Sequence, residues 1–113
     1  MQTTSLTALG QQQLDTARSA GSGRSAVTVY GGREHDLRQT LIAMKNGTVL
    51  GEHESPGEAT LQVLEGQVVL HADGEEWEAG TGDHMVIPLH RHDLAARTDS
   101  VVLLTVATRG GAV

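Results

Sequence analysis

The chain has 113 residues, too few for more than one ordinary domain but enough for a real, modest core. Its net charge of −6, with only 8 scattered Lys and Arg, argues against a nucleic-acid footprint, and the absence of cysteine excludes disulfides, thiolate metal sites and cysteine nucleophiles. The apolar fraction of 38% is carried by Val, Leu and Ala, with no Phe, one Trp77 and one Tyr30, so the core must be aliphatic.

In chain order, Met1 to Ser5 lacks the basic start and apolar stretch of a signal peptide. The longest apolar run, near Val101 to Ala107, is too short to span a bilayer. A soluble cytoplasmic protein with no membrane partner is the expectation. Ser5 can cap a short helix with Leu6, Leu9, Leu14 and Ala17 on one face. Gly10 weakens that helix, and Gly21-Ser22-Gly23 ends it. Residues 1–24 thus read as a peripheral helix or a frayed arm, and residues 25–113 as the main domain.

From Ser25 the pattern becomes one of short strands. Ala26 to Tyr30 alternates and stops at Gly31-Gly32. Leu37 to Met44 ends at Asn46-Gly47, a strong hairpin signal. Thr48 to His53 follows, then a loop through Ser55-Pro56-Gly57. Ala59 to Leu64 turns at Glu65-Gly66, and Gln67 to His71 turns at Asp73-Gly74. Glu75 to Glu78 turns near Gly80 to Asp83, and His84 to Ile87 runs into Pro88. Asp93 to Arg97 and Val101 to Thr108 complete a set of about nine strands. No helix long enough for a parallel crossover falls between them. The fold class is all-β, an antiparallel barrel of two sheets.

Two spacings carry a resemblance. Gly47 is followed by five residues and His53, and Gly66 closes the segment. Gly82 is followed by five residues and Pro88. These resemble the two motifs of the cupin superfamily over residues 37 to 107. The resemblance implies a single jelly-roll barrel, a homodimer, and activities of the dioxygenase, isomerase or decarboxylase type. The chain departs from the motifs at the ligand positions. Ser55 stands at the second His and Ala59 at the Glu of the first motif. In the second, His90 replaces a Gly, Asp93 stands at the His with His92 one residue early, and Arg97 replaces an Asn.

Alternation along strands sets what these residues can do. If His53 points inward, Ser55 does too. Ala59, Leu61 and Val63 share the apolar, inward face of the next strand. His90 and His92 are two apart and would share a face if extended. With His53 they would supply three imidazoles, the number a catalytic zinc, iron, manganese or nickel ion needs beside an open position. The alternative is a ligand pocket lined by His53, Ser55, Leu61, Val63, Val86 and His92, holding a small, mainly apolar molecule and requiring no cofactor. A bland assignment stands beside each histidine: His53 hydrogen-bonded at the barrel mouth, His35 in a solvated loop, His71 exposed at a strand end, His84 facing either way, and His90 in a turn. Asp93 or Glu58 beside His53 is a candidate general base. Ser55 is a weak candidate nucleophile, with no orienting group or oxyanion hole. Trp77 is expected on the exterior, against the N-terminal segment or in an interface. In a dimer, Val27 to Tyr30 and Val101 to Thr108 are the segments expected to exchange. A third alternative is a domain acting through its surface and dimer alone.

Overall fold

The computed structural model describes residues 2–53 and 57–107, with the side chains of Glu52 and His53 outside that description. One helix precedes nine strands: α1 Leu6–Ser19, β1 Arg24–Tyr30, β2 Leu37–Met44, β3 Val49–His53, β4 Glu58–Glu65, β5 Gln67–Ala72, β6 Glu75–Gly80, β7 His84–Val86, β8 His92–Ala96 and β9 Ser100–Ala107. All pairings are antiparallel. One sheet has the order β1-β2-β9-β4-β7, the other β3-β8-β5-β6. The expected all-β jelly roll with an N-terminal helix is what the chain forms.

The hydrophobic pattern of each strand follows from what covers it. Strand β4 alternates: Ala59, Leu61 and Val63 are buried between the sheets, while Gln62 is exposed on the other face. Strand β9 and the second half of β2, residues 41–44, instead carry nearly continuous apolar runs, because both of their faces are covered there. Ile42, Met44, Val102 and Val106 join the core between the sheets, with Val68, Leu70, Leu94 and Ala96 opposite. Leu41, Ala43, Val101 and Leu103 face the other way and form a second core with Leu14 and Ala17 of α1.

The N-terminal segment is therefore a docked helix, not a frayed arm. Ser5 caps it, its side chain accepting from the Ala8 N–H at 3.1 Å. Gly10, a weak helix former, is buried where the helix meets β9. A Cβ there would lie 3.2 Å from Val101 Cγ1, so the missing side chain permits the close approach. At the far end, Asp99 Oδ2 accepts from Arg18 Nε at 2.9 Å and Asp99 Oδ1 from the Asn46 N–H at 2.8 Å. One carboxylate thus ties α1 to two sheet-connecting turns.

The turns form where their residue types demand. Asp73 and Gly74 both have positive φ, 52° and 74°, the pattern of a tight two-residue hairpin between β5 and β6. Among the described residues no helix is long and apolar enough to cross a membrane. Strand β9 is paired on both sides and β1 on one, so of the two segments expected to exchange only β1 presents a sheet edge. Thr108 lies outside the described residues.

Candidate functional site

Of the expected ligand set, His92 lies at one end of the space between the sheets. The register of β3 and β8 sets His53 opposite His92, and that of β5 and β8 sets Ala72 opposite His92. His92 opens β8 and has the same parity as the core residue Leu94, so it points inward and is 5% exposed. Its Nδ1 donates to the His90 carbonyl at 2.8 Å. A carbonyl can only accept, so Nδ1 carries a proton.

His90 does not join it. Its side chain is 68% exposed, and Nε2 lies 3.7 Å from Asp73 Oδ2. The expectation that His90 and His92 share a face fails because β8 begins only at His92, so strand alternation does not extend back to His90. Ser55 lies outside the described residues. Ala59, at the family's Glu position, is buried against the core and offers no donor. Arg97, at the family's Asn position, is on the surface, 4.0 Å from Glu76. Among the described residues no group of three or more His, Asp or Glu side chains is arranged to hold a metal ion. His92 and the backbone-placed His53 supply two imidazoles where a catalytic site of this kind takes three protein ligands. The described donor set does not fit a metal of the expected type.

The candidate bases are placed elsewhere. Glu58 is exposed at the start of β4. Asp93 has the opposite parity to His92 and lies on the outer face of its sheet, where it meets His71. His71 is bracketed by two carboxylates: Nδ1 is 2.7 Å from Asp93 Oδ1 and Nε2 is 2.7 Å from Glu76 Oε2. The protonated ring donates to both. The Asp93 hydrogen bond, reinforced by Glu76, holds the imidazole above its ordinary pKa against a smaller effect of burial. The sequence pointed to an exposed strand end here. The network needs the β5–β6 and β5–β8 registers, which set His71 opposite Glu76 and Asp93.

Of the expected pocket lining, Leu61 and Val63 are 3% and 0% exposed and packed into the core. Val86 is a correction: it is 75% exposed, and Met85 is the β7 residue packed against the core. The chain does carry a concave apolar surface, at the open side of the sandwich between edge strands β6 and β7. It is a groove of about 430 Å³ lined by Leu70, Trp77, Glu78, His84, Met85, Val86 and Pro88. Trp77 pairs with Leu70 in register, on the inward face of β6, and is 42% exposed. It therefore faces this groove and does not cover the N-terminal helix. The signal that could have found the site is a lone Trp amid glutamates on a strand followed by Met85 and Pro88 one turn later.

The comparisons agree with this architecture. The family described as "Cupin domain" matches residues 40–107. No curated protein matches the chain. Among solved structures, a conserved protein of unknown function from Streptococcus pyogenes is 27% identical, with TM-score 0.69, over 78% of this chain and 76% of that one. An RmlC-like cupin protein from Desulfovibrio desulfuricans is 28% identical, with TM-score 0.66, over 75% of this chain and 82% of that one. A salicylate 1,2-dioxygenase from Pseudaminobacter salicylatoxidans is 20% identical, with TM-score 0.72. It matches over 88% of this chain but only 33% of its own length, a likeness of fold alone.

Proposed function

The chain belongs to the cupin family, and from that premise we propose that it is a small-molecule-binding module whose ligand sits in the groove between β6 and β7. The observation that carries this is the groove itself. Leu70, Trp77, Met85, Val86 and Pro88 form a concave apolar wall, and Glu78 and His84 add polar groups at its margin. A pocket of this size, mainly apolar with a few polar groups, is the usual form of a small-molecule site. The depleted set at the barrel end supports binding without metal chemistry, because Ala59 and Arg97 replace groups that would coordinate or orient a metal.

A metabolite panel read by thermal stability tests the proposal. A ligand present at about 100 times its Kd adds about 2.7 kcal/mol of stability, a clear rise in Tm for a domain of this size. Val86→Arg, at an exposed position on the groove wall, should abolish that rise while leaving the unliganded Tm unchanged. If no compound stabilises the protein, or if Val86→Arg leaves the response intact, the groove is not the site.

One observation favours a second function, a metal-dependent enzyme: the strand register that sets His53 opposite His92. Elemental analysis of untagged protein separates the two. Stoichiometric metal lost in His53→Ala would favour the enzyme. Sub-stoichiometric metal unchanged by that substitution would rule it out.

A further inference from the structure

We infer that the depression between β1 and the start of β2 is a second binding site, one for the phosphate group of a small molecule. It lies at the opposite edge of the larger sheet from β7 and does not depend on the groove there. The depression, about 460 Å³, is lined by Thr28, Gly31, Gly32, Arg33, Arg38 and Thr40. Strand phase places its side chains. Thr28 pairs with Thr40 in register, and Arg38 has the parity of Thr40 and of the core residues Ile42 and Met44, so these side chains share the inner face of the sheet. Tyr30 pairs with Gln39, which sets Gly31 against Arg38; a Cβ at Gly31 would lie 3.2 Å from Arg38 Cα and Cγ. With glycine there, no side chain fills the space across from Arg38. Arg33 enters from the loop that joins the two strands.

These two guanidiniums are the charge available to a ligand. Arg18 pairs with Asp15 and Asp99, Arg97 lies 4.0 Å from Glu76, and Arg24 donates to the Val49 carbonyl. Among the described residues no carboxylate pairs with Arg33 or Arg38. Glu34 and Asp36, in the same loop, do not line the depression. Two like charges at one depression repel, and a dianion relieves this while accepting from both. The guanidinium fork matches phosphate oxygens in geometry. The hydroxyls of Thr28 and Thr40 add neutral donors on the same wall. A tetrahedral dianion has oxygens for all four groups, whereas a monocarboxylate has two, in one plane, which one guanidinium satisfies. The net charge of −6 opposes an anion only at long range, and salt screens it beyond about 8 Å.

Calorimetry of the full chain at about pH 8, where phosphate is a dianion, and at fixed ionic strength tests this, with inorganic phosphate, glycerol 3-phosphate and acetate as titrants. The expected result is saturable binding of phosphate or glycerol 3-phosphate, at least about tenfold tighter than acetate, the order of the charge-assisted contacts that a second guanidinium adds. Arg33→Gln and Arg38→Gln, both at exposed positions, should each weaken that binding about tenfold without lowering Tm. Arg91→Gln, an exposed arginine outside the depression, should leave it unchanged. The two phosphate compounds distinguish the source: tighter glycerol 3-phosphate supports a phosphorylated metabolite, and equal affinities support the free ion. Acetate binding as tightly as phosphate, an equal loss in Arg91→Gln, or no saturable binding of either phosphate compound would overturn the site. None of these outcomes touches the β6–β7 groove, which Val86→Arg tests separately.

Discussion

His71 and Asp93, on neighbouring strands β5 and β8, face each other at 2.7 Å on the outer surface of the four-stranded sheet. Glu76 of β6 closes on the other ring nitrogen at the same distance, so one imidazole spans three strands. Arg97 lies within 4.0 Å of Glu76 and completes the charged group.

The clamp sets a pH dependence whose sign is fixed. The folded-state pKa of His71 is raised above the ordinary 6.5, by Asp93 first and Glu76 second. Its stabilisation is fully present below that ordinary value and is lost as pH rises through the raised one. Urea midpoints of the wild type and His71→Gln should therefore differ more at about pH 5.5 than at about pH 8.5. A difference of the same size at both would show that the ring acts by packing and not by charge.

Gly66 gives a second prediction. It sits at φ 98° between β4 and β5, and a Cβ there would fall 2.3 Å from Ser100 Oγ and 2.5 Å from the Asp99 carbonyl oxygen. Gly47 has a similar φ of 87° with nothing within 4 Å. Gly47→Ala should cost only the backbone strain, about 1 kcal/mol. Gly66→Ala adds a clash with backbone and should cost about 3 kcal/mol or more. Chemical denaturation measures both, and equal losses would mean the turn relaxes around the new methyl.

The N-terminal helix is held by packing more than by charge. Leu14 is fully buried, so Leu14→Ala should cost about 2–4 kcal/mol. Asp99→Ala removes two surface hydrogen bonds and should cost about 1 kcal/mol. The Asp99 carboxyl is held below its ordinary pKa, first by the Asn46 N–H and then by Arg18. Its contribution is present above the ordinary carboxylate range and is lost as pH falls through the lowered value. Guanidinium titrations of both variants check the ranking. A larger loss for Asp99→Ala would reverse it.

Most of the architecture was legible because it is punctuated. Asn46-Gly47, Glu65-Gly66 and Asp73-Gly74 each end a strand where the chain must adopt positive φ, and such signals are local. The alternation of β4 put Ala59, Leu61 and Val63 on the right face for the same reason. Val86 was misplaced because β7 is only three residues long and runs into Pro88, too short to fix its own phase. The His71 clamp and the Arg18–Asp99 pair were invisible because their partners come from other strands or turns, up to 81 residues apart in the chain. The groove is likewise made by two strand edges, β6 and β7, and exists only once both sheets are in place. What a sequence read alone shows is strand content; what it hides is which strands become edges.

The order β1-β2-β9-β4-β7 puts the ninth described strand in chain order at the middle of the larger sheet. Until Ser100–Ala107 has left the ribosome, β2 and β4 have no common neighbour, and Leu41 and Ala43 lack part of the surface they will rest on. Assembly must wait for this keystone and then join segments far apart in the chain, a topology that folds slowly and leaves apolar strands unprotected meanwhile. Early chain termination just before Ser100 would therefore yield insoluble product, not a smaller working domain.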